Sequence, residues 1–430
     1  MKLSNYFKKM GEYNNKIIQI AFVLSILVSF ITYVIDYNSA NVLLSRLTIP
    51  AGIGLMGILY FIITKRKFLI NNLIKVIILF FPPISFVVCL SISTFFSLNI
   101  YNTMKELLIM AYLILYAIIL FFVFKKDLIK VLIPLIILTS LIASFIGLYD
   151  LAAKNLGWFT FFDASTRQAQ SGFRYFGQAG QYAQIMLIMM IPLKYSYLYG
   201  KLPKLFQKLL FPTIIVSTIF LVSTGKVAAI IGFGIGVSIF ILMHFLKVYK
   251  DVLIALSIFL ACLVVAKKLT PRVIENIVYR VESRITKRVQ GTPEADFVIT
   301  NFNSSLKAFK DNPISGTGLG AYQGVYATTE IHGTYLKMLG ETGLIGVFGY
   351  LVFMGSVLYM LYKATKVKNN AYADFLIKMI PFLIGFLVCQ AYCYHLRKLE
   401  FWILYVVLFI AYSNFSTQKN IPQLHAKETY

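Results

Sequence analysis

Apolar positions in this chain fall into long unbroken runs, and polar positions collect in short clusters between them. A run of about 20 apolar residues crosses a bilayer as a helix, so the pattern predicts an all-α polytopic membrane protein with about twelve crossings. The runs cover 17–35, 47–64, 73–96, 107–124, 131–149, 182–199, 209–223, 227–246, 252–266, 335–361, 380–394 and 401–412. Pro82-Pro83 is expected to bend the third. The first run is too long for a signal-peptide core and has no small-residue cleavage site, so it is expected to stay as an anchor.

Lys and Arg in short loops mark the cytoplasmic side. Clusters such as Lys65-Arg66-Lys67, Lys125-Lys126 and Lys363, Lys366 and Lys368 then set the orientation. Both termini are expected inside. The expected organisation is a cytoplasmic N-terminus over 1–16, then helices over 17–266 with an outer loop at 150–178. A large outer loop follows over 267–334, then the last helices over 335–412 and a cytoplasmic tail over 413–430. The 150–178 loop holds Trp158, Phe159, Phe161 and Phe162, a cluster suited to the membrane interface.

Composition agrees with the pattern. The chain is 59% hydrophobic and 13% charged, against roughly 25% charged for soluble domains, and its mean hydropathy is +0.76. The net charge of +24 would point to nucleic acid in a soluble protein. Here most basic residues lie between apolar runs, which excludes that class and leaves membrane lipids as the surrounding partner. Cys89, Cys262, Cys389 and Cys393 all lie within apolar runs and read as small apolar residues, neither disulfide nor metal site.

One segment departs from the charge rule. The expected outer loop is basic, and Arg280, Arg284 and Arg288 repeat every fourth residue, with Val278, Val281, Ile285 and Val289 between them. A helix there would be amphipathic, with one cationic stripe. The stripe either rests on anionic headgroups or holds a phosphate, for which the guanidinium fork is suited. Arg174 and Lys226 lie on the same side at a helix start and a tight turn, either snorkelling to headgroups or marking a site.

On that side the glycine-rich segment Gly316, Gly318 and Gly320 leads to His332, just before the run that starts at Tyr335. The segment lacks the Lys-Ser/Thr ending of a nucleotide loop. A histidine there serves as an interfacial anchor or as a general base. Glu341 follows Lys337 by one helical turn and is expected to pair with it. No acidic or histidine-rich cluster indicates a metal.

The run NPISGTGLGAY, then His332 with Tyr335-Leu336, then Gly340-Glu341-Thr342-Gly343-Leu344-Ile345-Gly346 resembles the signature of the O-antigen ligase and polymerase superfamily. Arg174 to Ala183 is similar to an earlier motif of that family, and Ser223-Thr224-Gly225-Lys226 sits where many members have a Ser-Arg-Gly turn. Two positions depart from the family pattern: Lys226 replaces the arginine, losing its fork, and Gly333 follows His332 where Asn is usual. The resemblance implies a bacterial cytoplasmic-membrane enzyme with its site facing outward. Its donor would be a glycan on undecaprenyl pyrophosphate. Arg174, Lys226, Arg280, Arg284 and Arg288 would hold the pyrophosphate, the loop of Gly316, Gly318 and Gly320 would face substrate, and His332 would be the base. No metal or cofactor is expected, and a chain-length regulator protein is a candidate partner.

A polymerase of surface polysaccharide repeat units (O-antigen or capsule) is the first expectation, and a ligase to lipid A core is the second. A lipid-linked sugar transporter would be expected to show repeated halves and broken helices at mid-membrane. Neither is evident in the sequence.

Overall fold

The computed structural model describes residues 2–32, 48–162, 167–269, 293–327 and 330–418, with a few positions between 271 and 282. Among them the chain is helical, with an isolated β-bridge between Gln323 and Ala327. The helices are α1 Lys2–Leu27, α2 Ile49–Leu79, α3 Phe81–Thr94, α4 Ile100–Phe124, α5 Ile133–Leu156 and α6 Phe176–Tyr195. They continue as α7 Lys204–Ser223, α8 Val227–Leu269, α9 Pro293–Asp311, α10 Thr334–Thr365, α11 Ala371–Gln390 and α12 Leu399–Gln418.

Among the described residues eight helices are long and apolar enough to cross a membrane, or nine if one bent pair counts as a single span. The sequence pattern gave about twelve, and each difference has a physical reason. The run at 17–35 falls partly on the shorter apolar helix Asn15–Leu27. The run at 73–96 is the bent pair, turning by 87° between Leu73–Leu79 and Phe81–Thr94, where Pro82-Pro83 supplies no backbone N–H. The run at 182–199 lies on α6, which carries Gln178, Gln181 and Gln184 and is buried along most of its length. The runs at 227–246 and 252–266 are continuous in α8, whose helical geometry lapses only at His244 (φ −131°, ψ 23°).

The core is aromatic and aliphatic. Phe80, Phe121 and Phe409 pack edge-on or tilted with centroids 4.8–5.3 Å apart, and Trp402 is fully buried beside Phe353. Trp158, Phe159 and Phe161 are instead exposed, as an interfacial cluster requires.

Two contacts orient α8. At the start of α6, a Cβ added to Gly180 would lie 2.6 Å from Cβ of Lys226. At the other end of α6, Asp251 pairs with Lys194 at 2.8 Å and accepts a hydrogen bond from Tyr195 at 2.8 Å. The first part of α8 therefore runs the length of α6 in the same direction. His332 again lies within reach of the Lys226 charge, so the chain beyond Asp251 returns to the end it left.

Glycines let α8 and α11 touch. A Cβ on Gly385 would fall 1.9 Å from the Gly232 carbonyl oxygen, and one on Gly236 would fall 2.9 Å from Cα of Phe382. Close approach of this kind substitutes for a hydrophobic drive between helices in lipid. Gly385→Val should therefore destabilise the bundle by on the order of 1–3 kcal/mol or more, read as a lower unfolding midpoint in detergent. An unchanged midpoint would mean that the crossing is not a stabilising contact.

Candidate active site

The glycine-rich segment is folded against a break in α10. Gly343 has φ 59° and ψ −160°, which frees the amides of the next residues from the helix ladder. Leu344 and Ile345 donate instead to the carbonyls of Pro313 (2.9 Å) and Ile314 (3.1 Å). In return Gly318 donates to the Glu341 carbonyl at 2.8 Å, and Gly320 donates to Oε2 of Glu341 at 2.6 Å. Glu341 is paired with Lys337 at 3.2 Å, both side chains being 1% exposed, as the sequence spacing predicted.

The glycines are demanded by this packing. Gly316, Gly318 and Gly320 have φ of 68°, 97° and 77°, in the region side chains disfavour. Added Cβ atoms would meet the Glu341 backbone at 2.4 Å, Ser97 Oγ at 2.1 Å and Glu106 Cγ at 2.8 Å. The expected substrate loop thus has the amides of Gly316, Gly318 and Gly320 committed to the protein's own oxygens, with Gly316 bonded to the Asn312 carbonyl at 2.9 Å. It builds a floor against the break in α10, the helix that follows His332.

His332 follows that floor in a stretch without helical structure, ahead of α10 at Thr334. It keeps an exposed edge. Partial burial of the ring, and next the Lys226 ammonium, push its pKa below the usual histidine value; Glu330 opposes them, and Lys337 and Arg397 add to the lowering. His395 lies close by but is fully buried against Phe386, with ring centroids 4.7 Å apart. Burial, then Lys398 and Lys226, push it down to about 3, so it stays neutral and out of reach of a substrate.

The turn between α11 and α12 supplies residues that sequence reasoning missed. Arg397 forks onto Glu330, with Nη2 at 2.8 Å from Oε2 and Nη1 at 3.4 Å from Oε1, and Nη1 also reaches Glu106 at 3.3 Å. Lys398 lies 5.8 Å from the Tyr175 ring. Burial, then Arg397, push Lys398 down to about 8. Among the described residues neither Lys226 nor Lys398 forms an ion pair with a carboxylate. The site therefore holds two lysines that form no ion pair among the described residues, with Glu400 and Glu330 acting on Lys398 from farther off, and one arginine that is already neutralised.

Of the sequence candidates, the structure brings together His332 and Lys226. Arg174 is exposed at the start of α6, its N–H donating to Thr32 at 2.8 Å. Its neighbour Tyr175 is the residue that faces Arg397 and Glu330. Arg280, Arg284 and Arg288 lie outside the described residues. The amphipathic helix that is described in this loop is α9, whose Asn301, Ser305 and Ala308 are buried. A signal for Arg397-Lys398 was present: a basic pair in a short turn expected on the outer side breaks the charge rule.

Residues 212–351 match the O-antigen ligase family. The matched segment runs from α7 into α10 and takes in Lys226, the glycine-rich segment, His332 and Glu341. Glu106, Arg174 and Arg397 lie outside it. No curated protein matches the chain.

Proposed function

We propose, for a chain that the match at residues 212–351 places in the O-antigen ligase and polymerase superfamily, that it polymerises surface polysaccharide repeat units at the outer face of the bacterial cytoplasmic membrane. The donor is a glycan on undecaprenyl pyrophosphate. The acceptor hydroxyl oxygen forms a bond to the anomeric carbon as the bond from that carbon to the phosphate oxygen breaks. The hydroxyl proton goes to a ring nitrogen of His332, and the lipid pyrophosphate leaves with the added negative charge.

One observation carries this reading: an exposed-edge histidine lies within reach of the Lys226 charge, and Lys226 and Lys398 both act on the buried His395, with neither lysine ion-paired among the described residues. A neutral imidazole can take the proton, and the lysines meet charge that develops on the leaving group. Arg174 sits at the exposed rim, where it can meet the lipid headgroup region of the donor. The family match does not separate a polymerase from a ligase, and the same residues would serve a ligase.

The test uses purified protein with lipid-linked oligosaccharide extracted from a deletion strain that accumulates it. A glycan ladder formed from that donor alone supports a polymerase, and a product that requires lipid A core makes it a ligase. Loss of a charged partner costs on the order of 2–5 kcal/mol. Lys226→Ala with Lys398→Ala should therefore weaken donor binding by at least ~30-fold. Unchanged donor affinity in that double variant would place the pyrophosphate elsewhere.

A further inference from the structure

Resting on that reading, we propose that Arg397 is a positioning residue: its bonds to Glu330 and Glu106 hold the His332 segment over the site. Residues 330–332 lie outside any helix or strand. The α11–α12 turn fixes His332 from both sides. Beyond His332, Thr334 Oγ1 donates to the Cys393 carbonyl at 2.9 Å, and Gly333 (φ 103°) lies so close to Ala391 that an added Cβ would be 2.3 Å from its carbonyl oxygen. Before His332, Glu330 is gripped by both arms of Arg397. The histidine is thus the midpoint of a short bridge whose two ends rest on one turn.

The guanidinium is itself braced. Glu106, 4% exposed at the start of α4, takes Nη1, and the Tyr394 ring lies 5.8 Å from Arg397 and 4.9 Å from Lys337. Lys337 in turn pairs with Glu341, which holds Gly320. A continuous chain of contacts therefore links the glycine-rich floor to the His332 bridge. Its carboxylates already satisfy Arg397, which separates its role from that of Lys226 and Lys398. A lysine cannot replace it, because a point charge cannot grip two carboxylates in a fixed plane.

The test is steady-state turnover of lipid-linked oligosaccharide by Arg397→Lys, Arg397→Gln, Glu330→Gln and the double Arg397→Gln/Glu330→Gln. A misplaced base costs up to ~10²-fold in rate, so kcat should fall by about that factor in Arg397→Lys while donor KM stays within about threefold. The double variant should be no worse than the worse single, because both remove one bond. The acid limb of the pH profile adds a readout that packing alone would not move. Lys226, Lys337, Arg397 and Glu330 are the charges acting on His332. Removing Glu330's charge should shift the limb to lower pH, and removing Arg397's should shift it to higher pH.

A raised KM with unchanged kcat in Arg397→Lys would overturn the proposal and make Arg397 a donor ligand. Additive losses, or no opposed shift, would overturn it too. Glu330→Gln, altered at a partly exposed carboxylate, keeps the test open if the Arg397 variants fail to insert. His332→Gln runs alongside: full turnover there ends the general-base reading itself. Loss there with unchanged kcat in Arg397→Lys and Glu330→Gln ends only the positioning role.

Discussion

His332→Gln should lower glycan transfer by about 10²–10⁴-fold, the range for a lost general base, with unchanged membrane level and donor binding. The pH profile of kcat/KM in the wild type should be bell-shaped. His332 has a pKa lowered from its usual value near 6.5. Its base form is therefore populated above that lowered value, and activity falls as pH drops through it. Lys398 sits at about 8. Its ammonium is present below that pH, so donor capture weakens as pH rises through it. Lys398→Arg should remove the alkaline limb and leave the acid one. A profile flat from pH 5 to 9, or near-wild-type turnover in His332→Gln, would show that His332 is an interfacial anchor.

The second large effect lies beneath the site. Lys337 and Glu341 are each 1% exposed and 3.2 Å apart. Removing one member of a buried pair strands the other charge and costs about 3–5 kcal/mol, whereas replacing both is often close to neutral. Lys337→Met should therefore lower the unfolding midpoint in detergent more than the double Lys337→Met/Glu341→Gln does. The single variant should also lose activity, because the Glu341 carboxylate that receives Gly320 would no longer be held. If the double variant were the less stable of the two, burial of an unpaired charge would not be the governing term.

Local signals were legible and long-range ones were not. The apolar runs, the bend at Pro82-Pro83, the helix following His332 and the Lys337–Glu341 pair are each set by residues within a turn or two of one another. The sequence shows those spacings directly. The grip of Arg397 on Glu106 and Glu330 joins three distant stretches. Nothing local to any of them says that they meet. The amphipathic helix shows the same limit in milder form. Arginine spacing drew attention to 278–289, while α9 shows its buried face through small and polar residues, Asn301, Ser305 and Ala308. The glycines show the same limit. Their spacing signals close approach and positive φ, but it does not name the approaching groups, among them Glu341 and Ser97.

The break at Gly343 has a consequence for anyone exchanging parts between relatives. The amides of Leu344 and Ile345 donate to carbonyls at Pro313 and Ile314, and an unmet amide facing hydrocarbon costs several kcal/mol. Residues 313–320 and 340–345 are therefore one unit of inheritance written in two places. A chimera that imports a new loop while keeping the native helix must reproduce both halves of that seam, however well its acceptor-facing residues are chosen.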